Sequence, residues 1–277
     1  MTSTYLILAM MLCVCFAGSS YAADVETVEV ESEYQIGKQE IRVLLPDKYD
    51  PAKQYRVLYV LPAAHKIEGY GYGIGLLKEL DAHNKYALIL VSMSFHEEPW
   101  YGDHATDPHV QEASYLRKFV VPYIEKKYGT LGTPEGRLLI GFSKSGWGAF
   151  SLILHDPDFY GYAAAWDAPM MLQTFRYGLD KVFGTLDQMA LYRPDLLAVK
   201  NKEFFQKKNR LVLTGETYWG KMFPAPGGAS HTVAMHELLE KEKILHTYDD
   251  TIKVEHKWDK GWLEPTLKLL IDLTKQP

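Results

Sequence analysis

The stretch RLLIGFSKSG, residues 137–146, decides the fold that this sequence predicts. Its first six residues suit a buried strand, and the residues from Ser145 to Leu154 have the spacing of a helix. Ser143 therefore falls at a sharp strand-to-helix turn, which pushes a serine hydroxyl out above the sheet. The pattern is G-x-S-x-G except that Ser145 stands in place of the second glycine, and serine prefers a negative φ. We interpret Ser143 as a candidate nucleophile.

Strands and helices alternate along the rest of the chain. Further strands are predicted at residues 25–35, 39–45, 56–61, 86–94, 162–166, 210–214 and 246–253. Helices are predicted at residues 74–83, 111–127, 232–242 and 261–275, and Pro122 should kink the second of them. The alternation implies βαβ units, so we expect an α/β protein with a mostly parallel central sheet and helices on both faces.

Residues 170–208 read as a helical insertion between two strands of that sheet. The segment carries four aromatic side chains that could line a pocket: Phe175, Tyr177, Phe183 and Tyr192.

The N-terminus predicts an export signal. Residues 5–18 are almost wholly apolar but too short to span a bilayer comfortably, and Ser20 and Ala22 occupy the −3 and −1 positions of a plausible cleavage site. We expect a signal peptide over residues 1–22 and a secreted or periplasmic mature domain over residues 23–277. Because no Lys or Arg precedes the apolar run, an uncleaved membrane anchor is the alternative.

Composition narrows the classes of partner. The net charge is −5, and no basic run is present that would bind phosphates, so we expect no nucleic-acid partner. Both cysteines, Cys13 and Cys15, lie in the signal segment, so the mature chain would have no disulfide. After cleavage we expect no stable membrane insertion. Nothing in the sequence addresses the oligomeric state.

The chain resembles the esterase D, feruloyl esterase and mycolyltransferase group of the α/β hydrolases. The resemblance runs from about residue 42 to residue 269. Its carriers, in the order of that group, are RVLYVL (56–61), WYGD (100–103), YL (115–116), VPYI (121–124), the nucleophile segment, HDPDF (155–159) and HKW (256–258). The resemblance implies the α/β-hydrolase fold and ester hydrolysis or acyl transfer, often on acylated sugars.

His256 is the candidate base. In α/β hydrolases the catalytic histidine follows the last strand, and His256 lies between the predicted strand at 246–253 and the closing helix. Three other histidines, His96, His104 and His109, share a polar loop but lack the spacing of metal ligands, so we expect no metal and no cofactor.

The sequence leaves two candidates for the acid that orients the histidine. Glu216 follows the strand at 210–214, where the fold usually places this acid. Asp167 follows the preceding strand, in a segment that resembles the pancreatic-type lipases. The choice is nearly even, with a slight preference for Glu216.

The oxyanion requires two fixed N–H donors. The backbone of Lys144, next to the candidate nucleophile, would supply one of them. The resemblance implies that Ala64 supplies the other, although Pro62-Ala63-Ala64-His65 stands where the family has His-Gly followed by a small or apolar residue. A Ser–Lys pair with Lys144 as base is the weaker alternative, because adjacent residues on a tight turn rarely reach each other.

These features predict a serine carboxylesterase that acts on a small-molecule or carbohydrate ester through an acyl-enzyme on Ser143. Two other interpretations remain open. One is an acyltransferase with the same triad. The other is a non-catalytic ligand- or glycan-binding protein on a hydrolase scaffold, which the missing glycines at Ala63 and Ser145 keep open.

Overall fold

A computed structural model describes residues 24–65, 73–215 and 222–276, and the predicted signal peptide lies outside them. Eight strands form one sheet in the order β1-β2-β4-β3-β5-β6-β7-β8. Their bounds are β1 Glu26–Glu31, β2 Lys38–Leu44, β3 Arg56–Val60, β4 Leu88–Met93, β5 Arg137–Phe142, β6 Tyr162–Trp166, β7 Leu211–Thr214 and β8 Thr247–Asp249. Among the described strands, the pairings of β2 with β1 and with β4 are antiparallel and the other five are parallel, which confirms the predicted mostly parallel sheet.

Helices cover both faces of the sheet, as expected for buried parallel strands. They are α1 Gly73–Glu79, α2 Ala82–Lys85, α3 Glu112–Ser114, α4 Val121–Lys127, α5 Ser143–His155, α6 Leu179–Phe183, α7 Leu186–Ala190, α8 Pro194–Lys200, α9 His231–Lys241 and α10 Leu263–Leu273. One apolar layer packs α1, α2 and α10 against the sheet, and the opposite layer holds α4, α5, α8 and α9. Within the described residues, no helix has the length and apolar character needed to cross a membrane.

The helix predicted over residues 111–127 is not regular. A π-helical segment, Tyr115–Val120, separates α3 from α4, and Pro122 lies in the first turn of α4. Proline is tolerated there because the first N–H groups of a helix have no partner within it. The backbone stays helical through this junction, with φ of −63° at Val120 and −60° at Val121, so residues 112–127 form one helix that contains a π-helical stretch.

The last strand is shorter than the predicted range of 246–253. β8 pairs only with β7, and the pairing ends where Thr214, the last residue of β7, lies beside Asp249. Gly215 still donates its N–H to the Asp249 carbonyl at 2.9 Å, and the described part of the chain pairs with β8 no further.

Three short helices, α6 to α8, lie between β6 and β7. Two of the aromatic side chains expected to line a pocket there are instead in the core. Phe183 packs edge-on against Trp147, with ring centroids 6.0 Å apart, and Tyr192 stacks on His155 at the end of α5. These two rings join the segment to α5 and leave Tyr177, which is half exposed, nearer the surface.

Candidate active site

Ser143 lies at the turn from β5 into α5, as the sequence predicts. Its φ is 56°, a left-handed conformation that is strained for a serine. Two glycines allow the turn to close. A Cβ on Gly141 would lie 2.4 Å from the backbone of Ser145, and one on Gly146 would lie 2.8 Å from the Cβ of Ala168.

Ser145, which replaces the second glycine of the motif, stabilises the turn. Its side chain is fully buried, and its Oγ accepts the N–H of Phe142 at 3.1 Å and donates to the Phe142 carbonyl at 2.9 Å. Its φ is not positive, so no glycine is required at this position.

Asp167 lies beside Ser143 because of the strand register. Phe142 pairs with Trp166 in the sheet, so the residue after each strand emerges at the same edge. The Asp167 N–H donates to the carbonyl of Thr214 at 3.0 Å. This bond attaches the turn that follows β6 to the end of β7. The side chain is 1% exposed.

His256 meets Asp167 from the loop between β8 and α10. Its Nδ1 lies 2.8 Å from Oδ2 of Asp167. Its ring packs against Phe142 and Trp166, with centroids 5.0 and 5.8 Å away. An ionised carboxylate only accepts, so Nδ1 carries the proton and Nε2 is left with a lone pair, the form that a general base requires.

The contact with His256 favours Asp167 over Glu216 as its partner. Glu216 lies outside the described residues, directly after Gly215. The sequence could not decide between the two because both follow a buried strand at the same edge of the sheet.

Lys144 and Ala64, the candidate oxyanion donors, follow the neighbouring strands β5 and β3. Lys144 is in the first turn of α5, where backbone N–H groups have no partner within the helix. Ala64 is buried in the loop after β3, the strand beside β5. A helix N-terminus also favours developing negative charge, so the pair suits a tetrahedral oxyanion.

The first part of the loop after β3, residues 61–65, is held at two points. The Tyr101 hydroxyl donates to the Pro62 carbonyl at 2.6 Å, and the Phe95 N–H donates to the His65 carbonyl at 3.3 Å. Neither Ala63 nor Ala64 has a positive φ, so the sequence departure costs no backbone strain.

Two glutamates support the site and were not identified from the sequence. Glu98 binds the Lys144 ammonium through Oε2 and lies 2.7 Å from His65 Nδ1 through Oε1. Glu112 is fully buried, and its Oε2 accepts the N–H groups of Trp100 and Tyr101, each at 2.7 Å. Neither glutamate belongs to a recognisable sequence motif, because the residues that each one contacts come close to it only in the folded protein. The engagement of Lys144 by Glu98 also argues against Lys144 as a base.

Two cavities open near these residues. One of about 570 Å³ is lined in part by His65, Ser94 and Phe95. The other, of about 450 Å³, is lined in part by Met171, soon after Asp167, and by Arg176. Both are large enough for part of a small organic molecule.

Other histidines have structural contacts. His104 accepts two backbone N–H groups of its own loop through Nδ1. Within the described part of the chain, one group has ligand atoms close enough to hold a metal: His236, Glu240 and His246, within 4.8 Å of one another. His236 Nδ1 and His246 Nε2 are hydrogen-bonded at 2.8 Å, at the start of β8, the end of the sheet opposite Asp167.

Residues 32–221 match the model of a family described as "Putative esterase", which covers more than half of the chain. Among curated proteins, no sequence matches this chain.

Solved structures with the same fold include a ferulic acid esterase and an S-formylglutathione hydrolase. A ferulic acid esterase is 16% identical, with a TM-score of 0.69, over 92% of this chain and 98% of that one. An S-formylglutathione hydrolase from Agrobacterium tumefaciens is 14% identical, with a TM-score of 0.71, over 91% and 96%. MPT51 (FbpC1) of Mycobacterium tuberculosis is 15% identical, with a TM-score of 0.65, over 91% and 98%. At these identities the likeness establishes the fold.

Proposed function

Because the chain belongs to this esterase family, we propose that Ser143 is the nucleophile of a serine carboxylesterase, with His256 as base and Asp167 as the acid of the triad. The observation that carries the assignment is the 2.8 Å contact between His256 and Asp167 beside a strained strand-to-helix turn. A histidine oriented by a carboxylate next to such a turn is the arrangement that activates a serine.

The reaction proceeds in two steps. The Ser143 Oγ attacks the ester carbonyl carbon while His256 Nε2 takes the hydroxyl proton, and the carbonyl oxygen becomes an oxyanion held by the N–H groups of Lys144 and Ala64. The alcohol leaves with the proton from His256, and an acyl-enzyme remains. Water then attacks the acyl carbon and gives its proton to His256. The carboxylic acid leaves as Ser143 regains a proton. Asp167 holds the imidazole tautomer and stabilises the imidazolium.

Ser143→Ala tests the nucleophile. We expect loss of p-nitrophenyl ester hydrolysis to the residual rate of binding and the oxyanion site, roughly 10³–10⁴ over water, with the far-UV circular dichroism unchanged. Ser151→Ala is the matched control, because Ser151 is buried in the same helix and its hydroxyl donates to the Tyr192 carbonyl at 2.7 Å. Near wild-type turnover in Ser143→Ala would refute the assignment.

A fluorophosphonate label separates the enzyme from a non-catalytic scaffold. The probe reacts only with an activated serine, so it should modify the wild type and Ser151→Ala but not Ser143→Ala. An unlabelled wild type with no turnover would favour the binding-protein interpretation. Product analysis with an added alcohol acceptor distinguishes hydrolysis, which gives the free acid, from acyl transfer, which gives a new ester.

We also propose an acylated carbohydrate as substrate and export through residues 1–22. The substrate proposal is supported by a structural neighbour named as a ferulic acid esterase. A screen of feruloylated, acetylated and short-chain aryl esters tests it, and a preference for aryl esters over both sugar esters would contradict it. N-terminal sequencing tests export: a mature chain beginning at Ala23 or Asp24 is expected, and an intact Met1 on cytoplasmic protein would rule it out.

A further inference from the structure

Glu98 joins the two loops that carry the proposed oxyanion donors. One carboxylate oxygen binds the ammonium of Lys144, whose backbone is the donor after the nucleophile. The other lies 2.7 Å from Nδ1 of His65, the residue after the second donor, Ala64. Because an ionised carboxylate has no proton to give, His65 Nδ1 must donate in this contact.

The bridge spans three separate parts of the chain. Glu98 follows β4, Lys144 follows β5 and His65 follows β3, and these strands are neighbours in the sheet. All three residues therefore meet at the same edge, but from loops that could otherwise move independently. A shared carboxylate removes that freedom.

Burial and charge favour a fixed ion pair rather than a loose surface contact. The Lys144 side chain is 10% exposed and that of Glu98 is 36% exposed. Burial alone would raise the pKa of Glu98, but the hydrogen bonds from Lys144 and His65 outweigh it and lower that pKa, so the carboxylate stays ionised. Charge-assisted hydrogen bonds of this kind are the stronger and more directional ones.

The second donor loop has reason to need such support. Its anchors at the Pro62 and His65 carbonyls flank Ala64 without fixing its distance from Lys144. Glu98 is the group that connects one donor loop to the other through side chains.

We infer that Glu98 is a positioning residue that sets the spacing of the Lys144 and Ala64 N–H groups through Lys144 and His65. The inference rests on the proposed esterase function. The oxyanion forms only in the transition state, so loss of the spacing should lower kcat and leave KM nearly unchanged.

Glu98→Gln is the decisive variant, since a neutral amide retains the shape but loses the charge that holds Lys144. We expect kcat for a p-nitrophenyl ester to fall about 10- to 100-fold, with KM within about twofold of wild type. The affinity for an alkyl boronic acid, which forms a tetrahedral adduct on the serine, should fall by a similar factor. A purely structural role would not separate these two quantities from KM.

Glu97→Gln is the matched control. Glu97 is the adjacent residue, and its carboxylate lies 3.6 Å from Lys181 and 4.0 Å from His96, away from the donor loops. Its kcat and boronate affinity should remain at the wild-type values.

Lys144→Met combined with Glu98→Gln completes the test. If Glu98 and Lys144 act through one ion pair, the double variant should lose no more kcat than whichever single variant, Glu98→Gln or Lys144→Met, loses more. Wild-type kcat and boronate affinity in Glu98→Gln would overturn the inference, as would a fall in kcat matched by a rise in KM and a lower melting temperature. Failure of the proposed function would be detected separately, by comparing the ester turnover of the wild type with that of Ser143→Ala.

Discussion

Asp167 and Glu112 are both buried carboxylates near the site, but they face different groups. Asp167 faces His256, a ring that gains a proton during the proposed reaction. Glu112 faces the backbone N–H groups of Trp100 and Tyr101. His256 changes its charge in the proposed reaction, whereas the backbone N–H groups of Trp100 and Tyr101 remain neutral.

The partner, not the burial, distinguishes Asp167, the proposed catalytic carboxylate, from Glu112. Burial raises the pKa of Glu112 well above its usual range, although the N–H groups of Trp100 and Tyr101 donate to it. Its effect reaches the site through Tyr101, whose hydroxyl holds the loop that ends at Ala64. A search for buried acids alone would not distinguish Glu112 from Asp167.

The largest effect is expected from Asp167→Asn. The amide cannot hold the required tautomer or stabilise the imidazolium of His256, so kcat should fall by about 10⁴ while the fold is kept. Asp195→Asn is a suitable control, because Asp195 is also buried but pairs with Arg193. Near wild-type turnover in Asp167→Asn would show that another group orients His256.

Glu112→Gln should leave kcat near the wild-type value and change the pH dependence of stability. Because the folded-state pKa of Glu112 is raised, the wild type loses stability as the pH rises above about 4.3, the value for an unfolded glutamate. The variant lacks this loss, so its melting temperature relative to wild type should be about 2–4 °C higher at pH 8 than at pH 5.

Two further charges act on Glu112: that of Asp103 raises its pKa and that of Lys144 lowers it. Both charges are present in the wild type and in Glu112→Gln. The difference between variant and wild type therefore isolates Glu112. A difference in melting temperature that does not vary with pH would show that the glutamate is ionised in the folded protein.

The smallest effect is expected from Glu216→Gln. If Asp167 is the acid of the triad, as proposed, the loss of the Glu216 charge should lower turnover less than about tenfold. Glu216→Gln and Asp167→Asn should be assayed together. A larger loss of kcat in Glu216→Gln would assign the acid of the triad to Glu216 instead of Asp167.

The turn at Ser143 could be predicted because its signals are local. The apolar run of β5, the small residues around Ser143 and the helical spacing of α5 lie within about 20 positions of one another. The mostly parallel sheet follows from the same alternation of strands and helices.

The carboxylate that contacts His256 could not be predicted, because the choice depends on strand register and on a loop. Trp166 ends β6 beside Phe142, and this pairing puts Asp167 next to Ser143. The direction in which the loop after β8 brings His256 is set by packing against Phe142 and Trp166. No short pattern encodes either fact. Glu98 was missed for the same reason, since it lies 46 positions from Lys144 in the chain.

The sequence by itself determined the order of strands and helices, the strand-to-helix turn at Ser143 and His256 as its candidate base, because periodicity and turn chemistry are properties of neighbouring residues. Only the tertiary structure decided that Asp167 meets His256, that Ser145 closes the turn and that Glu98 connects the two donor loops. Those contacts join residues across different strands, and their geometry is fixed by the packing of the whole sheet.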